Sequence, residues 1–298
     1  MSTIFDSFER KHDFLICVDS DGCAMDTMDI KHFRCFGPCM IEVWGLHAHE
    51  QELLARWNEI NLYTMTRGIN RFKGLAIALK EAEETYDDVQ IDDLETFLRW
   101  TEITKELSNR AIEDVLAQKE SKSLRMALEW SERVNVAIKN LPEEENLPFE
   151  GAKAGLAAAH AAADVAIVSS ANAGAVREEW TRHNLIEHTD IMLAQDAGTK
   201  AYCIGQLLQK GYEKDHVLMI GDAPGDQKAA EDNGVLYYPI LVKRKKVPGS
   251  GFCQRDWKNS FQEHIQENTK KKELRSFRRI FPNKLFERKR RKKRERNY

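Results

Sequence analysis

The sequence predicts an α/β protein: a parallel sheet flanked by helices, with an all-helical domain inserted after the first strand. Three observations carry this reading. The runs "FLICVD", "DVAIVS", "TDIMLA", "HVLMIGD" and "VLYYPI" have the length and apolar composition of buried strands. The last four of these runs are separated by helical segments, the grammar of a parallel sheet with crossover helices. The first run stands apart, because the stretch from about Met28 to Glu150 has a different period.

Taken in order, "FLICVD" halts at the small-residue turn "DSDGC", which reads as a strand ending in a loop. In "HEQELLARWNEINL", "INRFKGLAIALKEAEE", "DDLETFLRWTEITKEL" and "SLRMALEWSERVNVAIKNL" the apolar residues recur three and four apart, which marks amphipathic helices. Trp44, Trp57, Trp100 and Trp130 fall at apolar positions of this region and are expected in its core. "LPEEENLPFEG" supplies two prolines and a glycine as a linker. Beyond it, "AKAGLAAAHAAA", "AGAVREEWTRHNL", "TKAYCIGQLLQKGY" and "GDQKAAEDNG" are the expected helices between strands. The expected division is therefore 1–27 core, 28–148 helical insert, 149–242 remainder of the core and 243–298 tail.

Composition narrows the class. Of 298 residues, 42% are hydrophobic and 31% charged, the balance of a globular protein, and no run approaches a membrane span. The N-terminus lacks the basic and apolar regions of a signal peptide, so the cytoplasm is the expected location. Cys17, Cys23, Cys35, Cys39, Cys203 and Cys253 have no framework spacing and are expected as thiols. His32, Cys35, Cys39, His47 and His49 invite a zinc reading, but the spacing is loose, and core thiols with exposed histidines are favoured. Charge is unevenly placed. Residues 243–298 carry 21 Lys and Arg against 6 Asp and Glu, whereas residues 1–242 carry 24 against 42. Such a tail is ordinarily solvated, and nucleic acid or an anionic surface is a possible but not favoured partner for it. Oligomeric state is not legible.

The predicted strands end in residues able to do chemistry, and in such sheets ligands bind at the carboxyl ends. The first ends at Asp19, with Asp21 two residues on; the second at Ser169 and Ser170; "HVLMIGD" at Asp222, with Asp226 four residues on. Lys200 opens the helix after "TDIMLA". Alone, each has an ordinary reading as turn, cap or surface residue. Together, Asp19, Asp222 and Asp226 with Lys200, three carboxylates and a lysine on one rim, suit a hard cation beside an anion, and oxygen-only ligands suit Mg²⁺. Asp19 and Asp21 raise a question of their own: spaced i and i+2 on a strand they would share a side and repel, so a compensating cation is expected.

"VDSDG", "IVSS", Lys200 within "AGTKAYCI" and "IGDAPGD" resemble, in order and context, the four motifs of the haloacid dehalogenase-like (HAD) phosphohydrolases. The helical insert after the first motif is similar to the C1 cap of the phosphoglycolate phosphatase and beta-phosphoglucomutase branch. The resemblance covers about Phe14 to Ile240 and implies a Rossmann-like core, Mg²⁺ as cofactor and a small phosphorylated metabolite as substrate. It implies that Asp19 is the nucleophile and Asp21 the general acid and base. It places Mg²⁺ on Asp19, the backbone carbonyl of Asp21, Asp222 and Asp226, and phosphoryl oxygens on Ser169, Ser170 and Lys200. Asp21 argues against the dehalogenase branch, which lacks the second acid. Cys23 and Ser20 depart from the family's usual residues. "TRGINRFKGLAIAL" resembles the cap's specificity segment, which makes Arg67, Asn70 and Arg71 the expected readers of the leaving group. A phosphomutase would use the same residues, and steady phosphate release without a bisphosphate activator separates the two. From a different class, a scaffold or nucleic-acid binder acting through the tail remains an alternative.

Overall fold

The computed structural model describes residues 4–240. The basic tail, with Cys253, lies outside the described residues.

Five strands form one sheet: β1 (Leu15–Val18), β2 (Asp164–Val168), β3 (Ile191–Leu193), β4 (Val217–Gly221) and β5 (Leu236–Pro239), in the order β3-β2-β1-β4-β5. Every pairing is parallel, with Leu15 level with both Asp164 and Val217. β1 is therefore central, and its carboxyl end opens between those of β2 and β4.

Alternation along the strands divides the core. Leu15, Cys17, Ala166, Val168, Val217 and Met219 face one side. There they pack on Ile204 and Leu207 of α10 (Lys200–Leu208) and on Ala229 and Ala230 of α11 (Pro224–Asn233). Ile16, Val18, Val165, Ile167 and Leu218 face the other side. They meet Leu156 of α8 (Ala152–His160) and Val176 and Trp180 of α9 (Ala173–Arg182). Both faces are covered, which is why the strands read as continuous apolar runs rather than alternating ones.

Between β1 and α8 the chain is helical. Its helices are α1 (Met28–Lys31), α2 (Gly37–Trp44), α3 (Glu50–Asn58), α4 (Arg71–Thr85), α5 (Leu94–Ile103), α6 (Asn109–Leu116) and α7 (Lys122–Lys139). π-helical turns follow α1 at His32–Phe36 and α3 at Glu59–Tyr63. Side-chain caps hold several helix starts: Ser108 accepts from Ala111 N and Ser121 from Leu124 N. Trp57, Phe72, Phe97 and Trp130 are fully buried in the insert's own core, with Trp57 and Trp130 edge-to-face at 5.9 Å. Trp100 is buried and Trp44 half-buried, in line with the core reading of the tryptophans. The chain leaves and re-enters the sheet side by side. Met25 bridges Pro148, while Asp26 N donates to Leu147 O and Phe149 N to Ala24 O.

One expectation is corrected. His32 is buried rather than exposed: it accepts a hydrogen bond from Trp57 Nε1 at 3.1 Å and stacks on Phe36, and burial pushes its imidazole down to about 3. It belongs to the aromatic core. Cys35 is a buried thiol and His47 is exposed, and the one cluster of potential metal ligands among the described residues lies elsewhere. Among the described residues no helix is long and apolar enough to cross a membrane.

Candidate active site

Asp19 follows β1 directly, and its amide donates to Ile220 O of β4 at 3.0 Å, which fixes it over the rim. Asp222 follows β4, and Asp226 lies in the first turn of α11. The carboxylates of Asp19, Asp222 and Asp226 come together with ligand oxygens all within 4.8 Å of one another, and all three residues are buried. Two glycines permit this approach. A Cβ on Gly22, whose φ is +82°, would stand 2.2 Å from Asp222 Oδ2, and one on Gly221 would stand 2.3 Å from Asp226 Cγ.

Lys200 Nζ reaches across the cluster, 2.9 Å from Asp19 Oδ1 and 2.5 Å from Asp226 Oδ1. Asp226 is also held by Ala223 N at 3.0 Å. Burial pushes Asp19 up to about 7 and Asp222 up to about 6, and Asp226 is raised for the same reason, despite the cations beside them. The three carboxylates outnumber their cations, Lys200 and Arg67. A buried, oxygen-only donor set with excess negative charge fits a hard divalent cation.

Asp21 does not share this environment. Its Oδ1 accepts from Thr27 Oγ1 and from Lys31 Nζ, both at 2.7 Å. Burial acts to raise its carboxyl, but the Lys31 ammonium and the hydrogen bonds outweigh it and hold Asp21 below the usual range. Lys31, on α1, is itself buried and also pairs with Glu179 of α9 at 2.8 Å. Asn146 Nδ2 adds a contact to Glu179 at 3.3 Å. Asp19 and Asp21 are thus compensated separately, one by Lys200 of the core and the other by Lys31 of the insert. The i, i+2 geometry expected of a strand does not apply, because both residues lie beyond the end of β1.

The remaining expected residues are dispersed. Ser169 is buried at the end of β2, where its amide donates to Leu193 O and its Oγ accepts from Ala171 N. Ser170 is exposed. Asn70 caps α4, its Oδ1 accepting from Phe72 N at 2.9 Å and its Nδ2 donating to Leu107 O. Arg71 is held by Asn135 at 2.7 Å and Ser131 at 3.2 Å and lies over the Phe36 ring; burial lowers its guanidinium to about 10. A cavity of about 260 Å³ joins Asp21, Lys31 and Arg71, and a larger one of about 600 Å³ continues from Arg71, Asn135 and Asn172 toward Arg110 and Gln195. Arg67 lies elsewhere, buried against Asp222.

Lys31, Thr27 and Glu179 were not singled out by sequence. Lys31 lies ten residues after Asp21 with turns between them, a spacing that gives no sequence signal of the pair. Ser20 and Cys23 now have structural reasons: Ser20 Oγ accepts from Trp180 Nε1 at 2.9 Å, and the Cys23 thiol points to Ile220 O at 3.4 Å.

A buried acidic cluster thus sits at the rim of a parallel sheet, with an all-helical insert between its strands β1 and β2. The chain belongs to the haloacid dehalogenase-like hydrolase family, whose model matches residues 69–238. The match begins after β1 and does not include Asp19 or Asp21. No curated protein matches the chain. Among solved structures, a haloacid dehalogenase-like hydrolase from Xanthomonas campestris is similar at 14% identity, covering 87% of this chain and 97% of that one, with TM-score 0.44. A predicted phosphoglycolate phosphatase from Haemophilus somnus is similar at 13% identity, covering 76% and 84%, with TM-score 0.47. A predicted phosphatase from Clostridium acetobutylicum is similar at 13% identity, covering 76% and 84%, with TM-score 0.41.

Proposed function

We propose that the protein is a Mg²⁺-dependent phosphomonoester hydrolase that works through an aspartyl-phosphate on Asp19. The observation that carries the reading is the convergence of Asp19, Asp222 and Asp226 within 4.8 Å, bridged by Lys200. Asp19, Asp222 and the Asp21 backbone carbonyl would hold Mg²⁺, with Asp226 as a further ligand. When bound there, the ion offsets the cluster's charge and polarises a phosphoryl oxygen.

An Asp19 carboxylate oxygen attacks phosphorus as the bond to the leaving oxygen breaks, and Asp21 gives that oxygen its proton. Water then attacks phosphorus, Asp21 takes its proton, and phosphate leaves with Asp19 restored. Lys200 and Ser169 neutralise the charge spread over the phosphoryl oxygens. The Lys31 pair keeps Asp21 ionised, which serves the second half directly. The first half requires that pair to loosen so that Asp21 can carry a proton.

Residues 28–148 form the cap in this reading, with 1–27 and 149–242 as the core. The leaving group of a small phosphorylated metabolite lies in the cavity between Asp21 and Arg71. A panel of phosphate monoesters assayed for phosphate release tests the proposal. Wild type should release phosphate with Mg²⁺ and lose it with a chelator, and Arg71→Ala should reorder the substrates. Metal-independent release would count against the reading.

A further inference from the structure

The sequence placed Arg67 in the segment that reads the leaving group, but its side chain turns the other way. Nε and Nη2 both donate to Asp222 Oδ2, at 2.8 and 2.5 Å, and Nη1 donates to Leu62 O at 3.0 Å. The side chain is 5% exposed and its partner's 1%, so the pair is withdrawn from water.

The loop that carries Arg67 is built to deliver it. Thr66 Oγ1 bonds Ile60 O, and the Arg67 amide closes a turn onto Thr64 O. Next in the chain, Gly68 has φ +71°, and a Cβ there would stand 2.8 Å from the Cβ of Ala223, the residue after Asp222. The insert's loop thus seats on the β4 loop itself. A Cβ on Gly22 would lie 3.0 Å from Arg67 Nη2 and 2.2 Å from Asp222 Oδ2, which puts the guanidinium against the catalytic turn.

We propose that Arg67 is the cap's own cation at the metal cluster, binding Asp222 in competition with the divalent ion, so that seating of this loop and metal binding oppose each other. The inference rests on the Mg²⁺ reading above. A guanidinium on Asp222 removes much of one carboxylate's charge from the cluster and places a positive charge beside the incoming ion. Because coupling between two binding events is reciprocal, whatever tightens metal binding here loosens the Arg67 loop. The opposite role, in which Arg67 holds Asp222 in position for the metal, gives the opposite sign.

Calorimetric titration of MgCl₂ into the full chain, without substrate, distinguishes them. Arg67→Gln should bind Mg²⁺ about tenfold more tightly than wild type, and Arg67→Lys, which retains the charge, should stay close to wild type. Gly68→Ala keeps the arginine but cannot seat against Ala223, and it should also bind more tightly, so it carries the test if Arg67→Gln does not fold by circular dichroism. Asp222→Asn is the control. If it binds Mg²⁺ as well as wild type, the metal assignment itself fails. If it weakens binding while Arg67→Gln and Gly68→Ala bind no better than wild type, the metal assignment stands and the competition is overturned.

Discussion

Two buried charge clusters flank the loop after β1, and they are built differently. The first gathers Asp19, Asp222 and Asp226 around Lys200, all from the core, with Arg67 reaching in from the insert. The second gathers Asp21, Lys31 and Glu179 across the junction of core and insert. In the first, burial wins and the carboxylates are raised; for Asp21 in the second, the cation wins and the carboxyl is lowered. Sharing of the lysine is common to both, since Lys200 serves Asp19 and Asp226 and Lys31 serves Asp21 and Glu179. What differs is that Asp21 receives both the ammonium and a hydroxyl on one oxygen and keeps a fifth of its side chain in contact with solvent, whereas Asp19, Asp222 and Asp226 are more deeply buried beside one another. Two acids separated by Ser20 therefore enter the same site in different states.

The sharpest way to break this contrast is to remove Lys31. Lys31→Met leaves Asp21 and Glu179 buried without their cation, a loss of about 3–5 kcal/mol in stability. It also moves the pH limb set by Asp21 to higher pH, read from phosphate release across a pH series. An unshifted limb would show that Lys31 does not govern Asp21.

Comparable in size is Trp57→Ala, which tests whether the insert's core stands apart from the clusters. Loss of a fully buried tryptophan should cost about 3–5 kcal/mol in denaturant unfolding.

The contrast also predicts opposite pH dependences of stability. Asp19 and Asp222 are raised from 3.8 to about 7 and about 6, so their contribution to the metal-free protein is full below about pH 4 and is lost as pH rises toward 7. Asp21 is lowered, so its contribution is present above about pH 4 and is lost as pH falls through its folded value. In metal-free buffer at pH 8, Asp19→Asn should melt higher than wild type, by roughly 5 °C, and Asp21→Asn lower. At pH 4 both differences should shrink. The same sign for both variants at pH 8 would erase the distinction between the clusters.

The smallest expected effect concerns Asn70. If it only caps α4, Asn70→Ala should cost about 1 kcal/mol and leave the ranking of substrates intact. A changed ranking would give it the specificity role instead.

The first cluster was legible in the sequence and the second was not, for a physical reason. Asp19, Asp222, Asp226 and Lys200 each sit at a strand end or open the helix after one, and a parallel sheet brings such ends to one rim whatever the loops do. The pairing of Lys31 with Glu179 joins segments far apart in the chain and leaves no periodic trace, and a lysine on a short helix reads as surface. Arg67 was noticed for its residue type but placed by its neighbours' pattern, which says nothing of the way its side chain turns. His32 was expected at the surface because its partner, Trp57, is invisible without the fold. The helical insert was legible from its period, since its apolar residues recur at three and four throughout.

The central claim, that Asp19 carries the phosphoryl group and Asp21 releases it, is tested most directly by acid-quenching the Asp21→Asn variant after brief exposure to a phosphate monoester and Mg²⁺, then mapping the peptides by mass spectrometry. The account predicts a phosphoryl adduct on the peptide containing Asp19, removed by hydroxylamine and absent from the Asp19→Asn, Asp21→Asn double variant. A wild-type enzyme that turns over the same ester while this variant shows no adduct, or an adduct on another residue, would contradict it.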